Sequence, residues 1–119
     1  GHSPMTVTVY HNPRCSKSRQ TLVLLEESGA KPDVIEYLKT PPSAKELNAI
    51  LTKLGKEPRD LMRKKEPPYA ALGLADTNIS RAALIKAMVE NPVLIERPIV
   101  LANGKAAIGR PPEDVLDIL

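Results

Sequence analysis

The sequence predicts an α/β protein built on a mixed four-stranded sheet. Three observations support this prediction: a strand, a helix and a strand follow one another at the start of the chain, a helix-rich stretch comes next, and a hairpin with a helix closes the chain. A strand–helix–strand unit has parallel strands and a right-handed crossover. A hairpin pairs antiparallel strands. Together they require a mixed sheet with the order βαβ, helical insertion, ββα.

The opening unit is recognised from two apolar runs and the helix between them. Residues 6–10 form a β-branched and aromatic run typical of a buried strand. Residues 18–27 are rich in helix formers, and Gly29 supplies a helix stop. Residues 33–38 alternate sufficiently in hydrophobicity to predict the second strand.

The stretch at about 43–91 is predicted to be a helical insertion. Ser43 and Glu46 have capping-box spacing, and the helix they begin ends before Gly55. A short basic helix is predicted at about 58–65, with the next stretch mostly loop or a single turn. Another helix starts near Ser80 and ends before Asn91-Pro92.

The end of the chain changes character. Residues 99–101 and 106–108 flank an Asn103-Gly104 pair, which predicts a β-hairpin. Residues 113–119 then predict a closing helix, with proline near its start.

Composition indicates one domain and excludes several classes of function. The 119 residues suit a single domain, which we assign to residues 5–119, and residues 1–4 are typical of a tag remnant. Aromatic residues make up 3% of the chain, which argues against base stacking and therefore against a nucleic-acid binder. The net charge of +3 suits a small anionic ligand.

Cysteine usage and hydropathy set further expectations. The single cysteine forms no internal disulfide, and no cluster of metal ligands accompanies it, so no bound metal or cofactor is expected. Neither a membrane-span run nor a secretory signal is found, so we expect a cytoplasmic protein without a membrane partner. We also expect a monomer.

Cys15 is the candidate nucleophile. It falls between the first strand and the first helix, where free N–H groups and the helix dipole favour negative charge. His11, Arg14, Lys17 and Arg19 are expected to favour the thiolate in the same way. The alternative is a buried, inert cysteine. A polar loop, flanking cations and the helix start favour the reactive interpretation.

The element order, with a cysteine after the first strand and a proline before the hairpin, resembles the thioredoxin-like fold. That resemblance implies a cis peptide bond at Pro98, opposite the active cysteine.

Several separated motifs resemble those of the glutaredoxin-coupled arsenate reductases. They are HNPRC at 11–15, ERPIV at 96–100 and GRP at 109–111, with further matches across nearly the whole chain. This resemblance implies a single catalytic cysteine, an arginine triad, arsenate as substrate, and electrons from glutathione and glutaredoxin.

Carried over by position, the resemblance implies Cys15 as nucleophile, His11 as a residue that favours its thiolate, and a triad of Arg63, Arg97 and Arg110. Arsenate is mostly dianionic near neutral pH and repels a thiolate. Guanidinium forks offset that repulsion, bind oxygens bidentately and stabilise charge that moves during reaction.

Some of these residues have simpler interpretations. Arg63 lies in a basic run with Lys64 and Lys65, and such runs are often solvated faces. Ser18 stands where a Cys-x-x-Cys loop has its second cysteine. Its hydroxyl either binds the thiolate and substrate or faces the first helical turn.

The chain also departs from the pattern it resembles. Residues 15–18 read CSKS where the characterised enzymes have CGTS, and a tail of about twenty residues after the last helix is missing. The sequence therefore resembles a shorter branch of the family.

The resemblance implies reduction of arsenate to arsenite through a Cys15 thiolate–arsenate adduct, resolved by glutathione and glutaredoxin. Two alternatives stay open. One is a redox-sensitive regulator that binds RNA polymerase, although Ser18 removes the Cys-x-x-Cys switch typical of that class. The other is a glutathione-dependent thiol transferase without an oxyanion substrate.

Overall fold

The computed structural model describes residues 7–119 and divides them into two compact units. The first unit contains residues 7–40 and 97–119, and the second contains residues 41–96. The predicted tag remnant and Thr6, the predicted start of the first strand, lie outside the described residues. The assignment of residues 5–119 to one domain, with an insertion at about 43–91, stays a prediction.

The first unit is built on the predicted mixed sheet. Its strands are β1 (Val7–His11), β2 (Asp33–Glu36), β3 (Ile99–Ala102) and β4 (Lys105–Ile108), in the spatial order β2-β1-β3-β4. β1 is parallel to β2 and antiparallel to β3, which pairs with β4 as a hairpin. The hairpin turns at Asn103-Gly104, where both residues have positive φ. The prediction of a mixed four-stranded sheet is confirmed.

Two helical segments cover this sheet. The helix α1 spans Ser16–Glu27 and therefore begins two residues before the predicted start. The closing segment, Pro112–Ile118, is a 3₁₀ helix: the N–H of Asp114 donates to the carbonyl of Pro111 at 3.0 Å, a contact three residues apart. The prediction of a helix here was correct in position, but its winding is tighter than an α-helix.

One core cluster of the first unit is aliphatic, while Tyr10 and Tyr37 are also buried in this unit. Alternate side chains of β1 and β3 point to one face of the sheet, where α1 and the closing 3₁₀ helix cover them. Packing on this face fixes the start of α1 relative to the ends of the central strands. The buried cluster comprises Val7, Val9, Leu25, Val100, Ala102, Val115 and Ile118.

The second unit is helical. It contains α2 (Ala44–Leu54), α3 (Pro67–Ala71) and α4 (Arg81–Glu90), with 3₁₀ helices at Pro58–Leu61 and Pro92–Leu94. α2 has the predicted capping box at its start and a left-handed glycine at its end, and α4 begins at the predicted serine cap.

The short basic helix predicted at about 58–65 was wrong in extent. The structure has a 3₁₀ helix that ends at Leu61, and Met62 is extended, with φ −86° and ψ 140°. Met62 forms an antiparallel bridge with Ile95, far away in the sequence. This pairing ends the helix, and no local pattern signals it.

Candidate active site

The candidate site lies at one edge of the sheet of the first unit. Tyr10 pairs with Ile99, so the end of β1 and the start of β3 meet at this edge. Pro98 directly precedes β3, and the Arg97–Pro98 bond is cis, as predicted. The loop that follows His11 leads from the same edge into α1. The sheet register thus brings the Cys15 loop and the cis-proline loop to the same edge.

Cys15 is the N-cap residue of α1 and is partly exposed. Its backbone is extended, with φ −91° and ψ 123°, and its side chain makes no capping hydrogen bond. The loop before it is a tight turn, because the Cys15 N–H donates to the carbonyl of Asn12 at 3.0 Å. The side-chain oxygen of Asn12 also accepts from the N–H of Arg14 at 3.0 Å. Asn12 was not among the predicted site residues, although Asn before Pro is a turn signal.

Arg110 reaches the sulfur of Cys15. Its Nη2 lies 3.5 Å from Cys15 Sγ, and its Nε donates to the backbone carbonyl of Arg97 at 2.8 Å. The second contact orients the guanidinium plane, so the Nη edge faces the thiol. This is the arrangement expected of a group that binds an anion beside a nucleophile.

Gly109 makes this approach of Arg110 possible. Its N–H donates to the carbonyl of Pro98 at 3.0 Å, and it is buried. A Cβ added at Gly109 would lie 2.7 Å from Cγ of Pro98 and would collide with the hydroxyl of Thr21. A side chain at this position therefore requires its neighbours to shift. The following Arg110–Pro111 bond is also cis, which the sequence analysis did not anticipate.

Ser18 and His11 are linked beneath the cysteine loop. The Ser18 hydroxyl accepts from the N–H of Asn12 at 3.1 Å and lies 2.7 Å from Nδ1 of His11. Whether this hydroxyl or Nδ1 donates the hydrogen bond between them depends on the tautomer of His11. Ser18 is fully buried. The hydroxyl of Ser18 is bonded inside the loop, and its predicted contact with the substrate stays a prediction.

The surroundings of His11 favour its neutral form, and its predicted effect on the Cys15 thiolate stays a prediction. Burial lowers the pKa of His11 below its ordinary value of 6.5, Glu36 opposes that shift, and Arg19 adds to it. The lowered pKa favours the neutral imidazole, whose Nδ1 shares a hydrogen bond with the hydroxyl of Ser18.

The other two predicted arginines have different surroundings. Arg97 is half-buried, and its backbone carbonyl holds Arg110 as described above. Arg63 lies in the second unit. Its backbone N–H donates to the carbonyl of Leu94 at 2.7 Å, and its side-chain Nη1 forms an ion pair with Oε1 of Glu66 at 3.0 Å. The first unit thus contains Cys15, His11, Ser18, Arg97 and Arg110, and Arg63 belongs to the second.

Residues 7–119 contain no group of three or more His, Cys, Asp or Glu side chains arranged to hold a metal ion. None of their helices combines the length and apolar character needed to cross a bilayer.

Known proteins resemble this chain along almost all of its length. The model of the ArsC family matches residues 10–118. The uncharacterised protein YfgD of Escherichia coli K12 is 60% identical, and the match spans 95% of this chain and 96% of that protein. An arsenate reductase of Neisseria meningitidis serogroup A is 51% identical, over 95% of this chain and 97% of that enzyme.

A solved structure agrees equally well. The arsenate reductase from Vibrio cholerae superimposes with a TM-score of 0.95 at 55% identity, covering 98% of this chain and 100% of that one. The fold is thioredoxin-like, as predicted from the order of elements with a cysteine after the first strand and a proline before the hairpin. With a family model that spans residues 10–118 and relatives that align from end to end, this chain belongs to the ArsC family.

Proposed function

We propose that this protein is an arsenate reductase in which Cys15 is the nucleophile. One observation supports the proposal most directly: the guanidinium of Arg110 lies 3.5 Å from Cys15 Sγ at the N-terminus of α1. Relatives named arsenate reductase, at about half identity over nearly the whole chain, support the same substrate.

The surroundings of Cys15 suit attack on an oxyanion. A thiolate and arsenate are both negative, so their approach needs compensating positive charge. Arg110 supplies a fixed cation, and the first N–H groups of α1 supply the positive end of a helix dipole. The first turn of α1 contains no acidic residue that would neutralise this positive potential.

The proposed reaction has three balanced steps. The Cys15 thiolate bonds to arsenic, and one arsenate oxygen leaves as water after protonation. The thiolate of glutathione then attacks Cys15 Sγ, the S–As bond breaks with its electron pair going to arsenic, and As(V) leaves as As(III) in arsenite. The thiolate of glutaredoxin finally attacks the sulfur of glutathione, which releases Cys15 as thiolate and carries the disulfide away.

External thiols follow from the composition of the chain. The sequence has one cysteine, so an internal disulfide is not available to accept the oxidation. Ser18 occupies the place of a resolving cysteine, and its hydroxyl is bonded inside the loop. Glutathione as co-substrate and glutaredoxin as partner meet this need.

Arg97 and Arg63 complete the proposed anion site by family resemblance. Arg97 neighbours the cis-proline, and its carbonyl orients Arg110. For Arg63, the ion pair with Glu66 means that an oxyanion must compete with a carboxylate for the same guanidinium. Arg63 is therefore assigned the weakest contribution of the three.

A coupled assay tests this proposal. The purified protein is mixed with arsenate, glutathione, glutaredoxin, glutathione reductase and NADPH, and both NADPH oxidation and arsenite are measured. We expect arsenite in proportion to NADPH and no turnover with Cys15→Ala. Reduction of a glutathione mixed disulfide without arsenite formation would contradict the proposal and favour a thiol transferase.

A further inference from the structure

A groove of about 450 Å³ lies on the first unit, beside the candidate nucleophile. One wall is the outer face of α1, and the other is the start of the closing 3₁₀ helix. None of the steps above assigns it a ligand. The residues that line it are Ser16, Arg19, Gln20, Val23, Leu24, Pro112 and Glu113.

The α1 wall is a single helix face that begins next to Cys15. Its five residues recur at positions i, i+3, i+4, i+7 and i+8 from Ser16, the spacing that aligns side chains along one side of an α-helix. At 1.5 Å per residue, this face is about 12 Å long. The groove therefore starts one residue after the nucleophile and continues for about two turns.

The walls combine an apolar strip with charges of both signs. Val23, which is 50% exposed, contributes to the strip together with Leu24 and Pro112. Arg19 adds a cation from α1, and Glu113 adds a carboxylate from the 3₁₀ helix. Because one guanidinium N–H of Arg19 already donates to the carbonyl of Pro13 at 2.8 Å, the side chain is held beside the Cys15 loop.

We infer that this groove binds the peptide portion of glutathione while its sulfur reacts at Cys15. Glutathione has a γ-glutamyl linkage and is therefore longer than the about 10–11 Å that an α-linked tripeptide spans. Its γ-glutamyl arm can lie along the α1 face while the central cysteine stays at the Cys15 end. Glutathione carries carboxylates and an ammonium group, which complement Arg19 and Glu113. Its methylene groups would cover the exposed part of Val23.

This inference rests on the proposed function, since it locates the thiol that attacks Cys15 Sγ in the second step. With the peptide held along α1, the sulfur approaches Cys15 from the helix side, whereas Arg110 contacts Cys15 Sγ from the loop after β4. The groove thus separates recognition of the reducing thiol from recognition of arsenate. Substitutions that disrupt the groove should raise the KM for glutathione and leave the KM for arsenate unchanged.

A matched pair of variants tests this separation in the coupled assay. Val23→Glu puts a carboxylate into the groove, whereas Val34→Glu makes the same change at a valine of β2 that is similarly exposed and does not line the groove. We expect Val23→Glu to raise the KM for glutathione about ten-fold, because the apolar contact is lost and like charges repel. An equal KM for glutathione in both variants would overturn the inference.

A binding measurement separates failure of the groove from failure of the proposed function. S-methylglutathione cannot form a disulfide, and its binding is followed by amide chemical shifts of the full chain. We expect saturable shifts centred on Gln20, Val23 and Glu113, and their loss in Val23→Glu but not in Val34→Glu. Shifts confined to other residues, or none, would overturn the groove. Binding at the groove in a protein that makes no arsenite would retain the groove and reject the arsenate reductase.

Discussion

The first N–H groups of any α-helix have no partner within the helix, and α1 and α2 differ in how they treat these groups. At α2, the hydroxyl of Ser43 accepts from the N–H of Glu46 at 3.1 Å, and the Glu46 carboxylate reaches back to the N–H of Ser43 at 3.4 Å. At α1, the N-cap residue is Cys15, which makes no side-chain capping bond. α4 resembles α2, with the hydroxyl of Ser80 accepting from the N–H of Ala83 at 3.2 Å.

We interpret the start of α2 as one that stabilises its helix and the start of α1 as one suited to binding an anion. A serine cap with a glutamate three residues later satisfies free N–H groups and neutralises the helix dipole. α1 has neither feature, so its first N–H groups and positive potential stay available beside a sulfur. We interpret this as stability given up, about 1 kcal/mol by the usual effect of a cap, in favour of an anion site.

The largest expected effect comes from giving α1 the kind of cap that α2 has. Cys15→Ser should abolish arsenate reduction, because serine has no sulfur with which to form the S–As bond. The same change should keep or raise the free energy of unfolding, since serine is a preferred N-cap. The coupled assay and urea unfolding measure the two quantities. A marked loss of stability would instead identify Cys15 as a packing residue.

The next effect comes from the cation beside the sulfur. Arg110→Ala removes the contact at 3.5 Å and should lower kcat/KM for arsenate about ten- to hundred-fold. Lysine should restore part of it, because it keeps the charge and loses the planar fork. Lys105→Ala removes a positive charge from the same hairpin and serves as the control. If reactivity towards a neutral disulfide fell equally in Arg110→Ala, the arginine would be structural.

At α2, the effect should be on stability alone. Ser43→Ala removes the capping bond and should cost about 1 kcal/mol in the free energy of unfolding. The kcat/KM of the folded enzyme should not change, because Ser43 lies in the second unit and belongs to none of the proposed contacts. Urea unfolding beside the coupled assay checks both expectations. A loss of kcat/KM at full folding would show that the cap has a role in the site.

The smallest effect concerns His11 and pH. Its pKa is lowered in the folded protein, chiefly by burial, so between the folded and unfolded pKa values the unfolded chain binds more protons. The stability linked to His11 is therefore fully present above about pH 6.5 and is lost as the pH falls through the folded pKa. Urea unfolding from pH 7.5 downward should be less pH-dependent in His11→Gln. An identical pH dependence in the wild-type protein and in His11→Gln would show that His11 does not contribute to the pH dependence of stability.

Local patterns predicted much of this molecule. The caps at Ser43 and Ser80, the Asn103-Gly104 hairpin and the position of Cys15 at a helix start each depend on a few neighbouring residues, and the structure has all of them. The cis bond at Pro98 was predicted from fold resemblance, since the local sequence does not specify it.

The features that were missed depend on contacts between distant residues. Met62 leaves the predicted helix because it pairs with Ile95. The hydroxyl of Ser18 bonds to Asn12 and His11 across the loop, which the spacing from Cys15 does not indicate. Gly109 packs closely against Thr21, and no pattern in the sequence around either residue indicates this contact. Such contacts are set by the sheet register and by helix packing, which periodicity does not specify.

The most direct test of the central claim is protection of Cys15 by an oxyanion. Iodoacetamide is neutral, and its rate of reaction with Cys15 is followed by mass spectrometry at increasing arsenate, without glutathione. The account predicts saturable slowing in the wild-type protein and in Lys105→Ala, with the half-protecting concentration raised about ten-fold or more in Arg110→Ala. Absence of protection, or equal protection with and without Arg110, would contradict an oxyanion site formed by Cys15, Arg110 and the start of α1.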